Sequence, residues 1–190
     1  MQMKPLKKIL CLGDSLTEGY LIDLSKSWPQ RLQEALNIEV VNAGISGDTT
    51  AGMLGRCEHS LREHNPSHLI VFGGTNDLWF GLKDEVILSN IHAIRRQARY
   101  HGVEPIVGIP TSSMNLNELN LVHENYSECI RSFQNSLITY CQNDDQLIID
   151  FSLHLQPDHF LEDGIHPNED GHKQMMLNVL EVLKRTALSF

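Results

Sequence analysis

The sequence predicts an α/β protein built on a parallel sheet with helices on both faces. Three observations carry that expectation. Short apolar runs alternate with longer helical patterns from end to end, each run is followed by turn-forming residues, and 190 residues make one ordinary domain rather than two. Strand, helix, strand succession means crossover connections, which lay consecutive strands parallel in one sheet, a three-layer α/β/α arrangement. We read residues 1–190 as a single domain, because no repeat, linker or low-complexity segment divides them.

The elements follow in order. Residues 8–12 form a first apolar run, and a helix carrying Trp28, Leu32 and Leu36 at four-residue spacing leads to a second run at 39–41. Residues 50–63 and 84–100 are long enough for three or more helical turns and bracket a third run at 68–72. The fourth run, 105–109, precedes a less regular helix over 121–140 whose inward positions read as Leu121, Ile130, Leu137 and Ile138. After a fifth run at 147–149 comes the clearest helix, with Met176, Val179, Leu180 and Leu183 at i, i+3, i+4 and i+7. Asn168, just after Pro167, is placed to cap it.

Composition excludes several functions. With 15 Lys and Arg against 24 Asp and Glu, a formal net charge of -9, no basic run is available for a nucleic-acid backbone. No apolar stretch nears the roughly 18 residues of a membrane span, so stable membrane insertion is not expected. Lys4, Lys7 and Lys8 precede an apolar run that ends at Gly13-Asp14, short of a secretory h-region, and we expect a cytoplasmic protein. The cysteines Cys11, Cys57, Cys129 and Cys141 form no C-x-x-C and read as small packing residues.

Ligands of such sheets sit beyond the carboxyl ends of the strands. The segments leaving those ends are Gly13-Asp14-Ser15-Leu16, Gly44-Ile45-Ser46-Gly47-Asp48, Gly73-Gly74-Thr75-Asn76-Asp77 and Asp163-Gly164-Ile165-His166-Pro167-Asn168. A serine hydroxyl becomes a nucleophile when a base takes its proton and a third group holds that base in one tautomer. Ser15, His166 and Asp163 can fill these roles. The backbone N–H groups of Ser15 and Gly47, with the side-chain amide of Asn76, can donate to a developing oxyanion.

Asp-x-x-His spacing alone carries little information. Ten His and 24 acidic residues produce about one such spacing by chance, and two occur, Asp163/His166 and Glu169/His172. The flanking glycine and proline set Asp163/His166 apart, whereas Glu169/His172 reads as an exposed i, i+3 pair on the last helix. Asp150 with His154 is a rival dyad, with Asp150 more simply a carboxylate tethering its own loop; Asp14 and Asp77 read the same way. His59, His64 and His68 lack metal-ligand spacing and read as a solvated helix end.

The four segments resemble, in order and spacing, the four sequence blocks of the GDSL lipases, also called SGNH hydrolases. Gly13-Asp14-Ser15-Leu16 matches the first block to the letter, Gly47 and Asn76 fall on the second and third signature positions, and Asp163-x-x-His166 on the last. The pattern looks most like the bacterial thioesterase I/lysophospholipase L1 group, whose members are usually exported, whereas a signal peptide is not expected here. The resemblance implies a flavodoxin-like five-stranded sheet of order 2-1-3-4-5, a Ser-His-Asp triad and an oxyanion hole from Ser, Gly and Asn. It implies no metal and no cofactor.

Leu78, Trp79 and Phe80 follow Asn76-Asp77 in what reads as a loop, and either contact an acyl chain or fold back on the core. Met114, Leu116 and Leu119 are candidates for the opposite wall. The expected activity is a serine hydrolase acting on a small-molecule acyl ester, thioester or lysophospholipid. A carbohydrate O-deacetylase and a non-catalytic binding module are the alternatives, and the oligomeric state stays open.

Overall fold

The five apolar runs become a parallel sheet in the order β2-β1-β3-β4-β5. The strands are β1 (Lys8–Gly13), β2 (Glu39–Gly44), β3 (His68–Phe72), β4 (Glu104–Ile109) and β5 (Ile148–Asp150). The computed structural model describes residues 7–185, so Lys4 lies outside the described residues. Between the strands run α1 (Ser15–Glu18), α2 (Trp28–Leu36), α3 (Thr50–His64), α4 (Thr75–Trp79), α5 (Asp84–Tyr100) and α6 (Tyr126–Asn143). The chain then continues to α7 (Glu169–Arg185).

Side chains alternate across the pleat, and each face has its own helices. Leu10, Leu12, Leu69, Val71, Val107 and Ile109 point to one face and pack with Met53 and Leu61 of α3, Ile87 and Ile91 of α5, and Ile130 and Phe133 of α6. Ile9, Cys11, Ile70, Phe72 and Ile106 point to the other, against Trp28 and Leu32 of α2 and Met175, Val179 and Leu183 of α7. Strands β1, β3 and β4 are covered on both faces and read as continuous apolar runs without polar alternation, whereas the edge strand β2 is partly exposed. Phe72 and Phe151 stack with ring centroids 4.2 Å apart over Gly108, where a Cβ would press into both rings.

Several expectations are corrected. The helix expected from residue 121 begins at Tyr126, because Asn120 accepts from the N–H groups of Val122 and Glu124 and holds that stretch as a turn. Leu121 is therefore exposed, and Asn125 caps α6 by accepting from the Glu128 N–H at 3.0 Å. On α7 the fully buried positions are Met175, Val179 and Leu183, with Met176 and Leu180 flanking them. Asn168 caps this helix as expected, accepting from Asp170 and Gly171. His68 is buried within β3, not part of a solvated helix end, and Leu78 and Trp79 lie on the short helix α4 rather than in a loop.

Strand β1 lies between β2 and β3, so the connection after β1 runs to one side, to β2, and the connection after β3 runs to the other, to β4. That reversal opens a crevice at the carboxyl ends of β1 and β3. Residues 14–15 and 73–76 border it.

Candidate active site

Ser15 is the first residue of α1, immediately beyond the end of β1. Its neighbour Asp14 caps the helix, with Oδ1 accepting from the Leu16 N–H at 2.9 Å and Oδ2 from the Thr75 hydroxyl at 3.0 Å. The commoner use of a serine here, capping the helix itself, thus falls to Asp14, and the Ser15 hydroxyl is left for another partner. A Cβ at Gly13 would collide with Thr17 and the Phe72 carbonyl, so the sharp turn that presents Ser15 needs glycine there. Burial pushes the Asp14 carboxyl up to about 7, against the hydrogen bonds it accepts.

His166 arrives from the connection after β5. One oxygen of Asp163, Oδ1, accepts from the N–H groups of Ile165 at 2.8 Å and His166 at 3.0 Å, tying the carboxylate to its own turn. Gly164 sits at φ +68, a left-handed conformation side chains disfavour, and its carbonyl accepts from the Met114 N–H at 2.7 Å. Phe160 pairs with Pro167 to close the turn.

The three side chains form one chain of hydrogen bonds. Asp163 Oδ2 lies 2.7 Å from His166 Nδ1, and His166 Nε2 lies 3.0 Å from Ser15 Oγ. An ionised carboxylate only accepts, so the ring proton belongs on Nδ1, and Nε2 is left to accept from the serine hydroxyl. Burial pushes the Asp163 carboxyl up, but the hydrogen bonds from the His166 backbone, the His166 ring and the Ile165 backbone outweigh it and hold the group below its ordinary value.

Asn76, on α4, borders the same space. Its Nδ2 donates one hydrogen to the Asp48 carbonyl at 3.0 Å, which leaves the second for a ligand. Arg56 braces that loop, bonding Asp48 and the Gly13 carbonyl at 2.8 and 2.9 Å. Asp77 accepts from the Thr50 N–H and hydroxyl, fixing α4 to the start of α3, so both Asp14 and Asp77 hold loops. Gly47 lies exposed in the turn after β2 at φ +79, with open space where a Cβ would stand.

A cavity of about 200 Å³ opens beside the serine, lined by Ser15, Leu16, Thr75, Asn76, Trp79, Glu118, Tyr126, Ile165 and His166. Of the three apolar residues picked out after Asn76-Asp77, Trp79 lines it, Leu78 joins the core, and Phe80 is half exposed outside the lining. Met114, Leu116 and Leu119 are not in the wall. Glu118 stands there from the same connection.

Two residues of the site are not among the sequence candidates: Tyr126, the first residue of α6, and Tyr20, whose ring lies 4.6 Å from that of His166. Leu16 and Ile165 sit inside the recognised motifs and were within reach. Asp150 accepts from Ser152 of its own loop, away from this site, and His172 is buried rather than an exposed partner of Glu169. Among the described residues no group of three His, Cys, Asp or Glu is placed to hold a metal ion.

A doubly wound sheet with a serine, an imidazole and a carboxylate linked at its carboxyl edge is the framework of a serine hydrolase. The chain belongs to the GDSL-like lipase/acylhydrolase family, which it matches over residues 11–174, and it is an ester hydrolase. It is 30% identical over 172 residues to an arylesterase from Vibrio mimicus, covering 87% of this chain and 82% of that one. It is 29% identical over 169 residues to thioesterase 1/protease 1/lysophospholipase L1 of Escherichia coli K12, covering 86% and 76%. The native aryl esterase of M. smegmatis shares the fold, with a TM-score of 0.83 at 20% identity over 94% of this chain and 99% of that one.

Proposed function

We propose that Ser15 is the nucleophile, His166 the general base and acid, and Asp163 the carboxylate that orients it. The observation that carries this reading is the unbroken run from Asp163 through His166 to Ser15 at 2.7 and 3.0 Å. His166 Nε2 takes the hydroxyl proton as Ser15 Oγ bonds to the ester carbonyl carbon, and the C=O electrons move onto oxygen. That oxyanion meets the Ser15 and Gly47 backbone N–H groups and the second amide hydrogen of Asn76. Ser15 N–H stands at the first helical position, where the helix offers it no acceptor. Collapse expels the alcohol or thiol, which takes the proton from His166. Water then attacks the acyl-serine with His166 again as base, releasing the acid and restoring the hydroxyl.

The walls formed by Leu16, Trp79, Tyr126 and Ile165 support an acyl chain longer than acetyl, each buried methylene adding about 0.8 kcal/mol. Arylesterase and thioesterase/lysophospholipase relatives support esters and thioesters as the substrate class. Four unpaired thiols, three of them buried, support a reducing compartment, and cytoplasmic residence belongs to the proposal. Among the described residues no helix is long and apolar enough to cross a membrane.

A fluorophosphonate probe tests the site. Mass mapping is expected to find the adduct on Ser15, and p-nitrophenyl esters of medium chain length are expected to be cleaved faster than acetate. An adduct on another serine overturns the assignment.

A further inference from the structure

The cavity wall contains one charged side chain that ester cleavage by Ser15 does not use. Glu118 lies in the connection from β4 to α6 and lines the cavity with Trp79 and Tyr126. Its Oε2 is shut off from solvent with no hydrogen-bond partner among the described residues. A covered carboxylate oxygen without a partner is costly, and a glutamate on a surface connection could turn into water without that cost.

The backbone beneath Glu118 is pinned. The Tyr126 N–H donates to the Glu118 carbonyl at 2.9 Å, Leu119 pairs with Asn125, and the Asn120 side-chain amide donates to the Leu78 carbonyl at 3.1 Å. Burial, and then the neighbouring Asp163 charge, push the Glu118 carboxyl above its ordinary value. A positive charge entering the cavity would stabilise the ionised carboxylate against both. Among the described residues no lysine or arginine lines the cavity, and the Trp79 and Tyr126 rings meet edge to face with centroids 5.3 Å apart. Aromatic faces attract ammonium groups, and a net charge of -9 draws cations toward the protein.

We propose that Glu118, together with Trp79 and Tyr126, receives an ammonium group on the substrate, which makes cationic esters the preferred class. This rests on the reading of the cavity as the substrate site of Ser15. Glu118 then acts as a specificity residue, selecting substrates by charge while the serine and histidine carry out the cleavage.

Two esters test it, p-nitrophenyl 4-(trimethylammonio)butanoate and p-nitrophenyl 5,5-dimethylhexanoate, which differ only in a quaternary nitrogen against a quaternary carbon. At mildly alkaline pH the wild-type protein is expected to favour the cationic ester in kcat/KM by about tenfold. Glu118→Gln is expected to abolish that preference through the KM of the cationic ester, and Glu118→Lys to reverse it. An equal preference in wild type and Glu118→Gln, or a wild-type preference for the neutral ester, overturns the proposal.

Butyltrimethylammonium supplies a check without any substitution. It is expected to raise the KM for the neutral ester at constant kcat, and absence of competition overturns the proposal. Fluorophosphonate labelling separates this from the reading beneath it. An adduct on Ser15 with an unaltered ester ratio removes Glu118 alone, whereas an adduct elsewhere removes the catalytic assignment.

Discussion

His166 and His172 stand six residues apart, each three positions after an acidic residue, and their surroundings give them opposite chemistry. His166 sits in a turn at the cavity edge, with a carboxylate on Nδ1 and a serine on Nε2. His172 is 1% exposed on α7, and its Nδ1 accepts from the Trp28 N–H at 3.2 Å, at the start of α2. Burial pushes the His172 imidazole down to about 3, with the Arg31 and His166 charges adding to it. The first ring is the one we propose moves a proton, and the other is kept neutral as a fixed acceptor. The spacing of acid and histidine carries neither role; solvent and partners decide it.

Substitutions can break this contrast. The largest effect is expected from His166→Ala or Ser15→Ala, which should each lower kcat by about 10⁶ with little change in melting temperature, measured by ester hydrolysis and calorimetry. Asp163→Asn should cost about 10⁴ in kcat, because the amide no longer fixes the ring proton on Nδ1. Asn76→Ala should lower kcat by about 10²–10³ at nearly constant KM, since its free N–H matters mainly when the carbonyl oxygen becomes anionic. A KM that rises tenfold at unchanged kcat would instead make Asn76 a ground-state contact.

His172→Ala should do the reverse of His166→Ala. It leaves a cavity between α2 and α7 and an unpaired Trp28 N–H, at about 2–4 kcal/mol of stability in urea titrations. The kcat of the folded fraction should be retained.

The smallest expected effect is a pH slope. Between its ordinary value of about 6.5 and its folded value of about 3, His172 binds protons only in the unfolded chain, so its contribution to stability is lost as pH falls through that window. Asp14, raised from 3.8 to about 7, binds protons first in the folded chain, so its contribution grows as pH falls from about 7 toward 3.8. The two oppose each other in the wild type. His172→Gln, which keeps an acceptor for Trp28, should become more stable than wild type on acidification from pH 7 to 5, and Asp14→Asn less stable. Parallel urea midpoints in all three proteins would rule this out.

Local pattern accounts for what could be read without coordinates. The runs of Ile, Leu and Val mark the five strands, most plainly β1, β3 and β4, which are covered on both faces, and the helix over Asp84–Tyr100 has the bounds the sequence predicts. The start of α6 was not legible, since a hydrogen-bonded turn at Asn120 competes with the helix and leaves the apolar Leu121 outside. On α7 Val179 and Leu183 face inward as their spacing predicts, and Met175 takes the fully buried place expected for Met176, because the two methionines are equally apolar and only the packing against α2 and β5 chooses between them.

The sequence by itself determined the sheet, the turn that presents Ser15, and the Gly-Ile-His-Pro turn that carries His166, because periodicity and turn chemistry act over a few residues. Tertiary structure alone decided that His172 is buried against Trp28 instead of exposed beside Glu169, that Trp79 rather than Leu78 or Phe80 faces the cavity, and that Glu118 stands in its wall. Those outcomes depend on burial and on distances between segments up to 151 residues apart, which arise only when the helices have packed on the sheet.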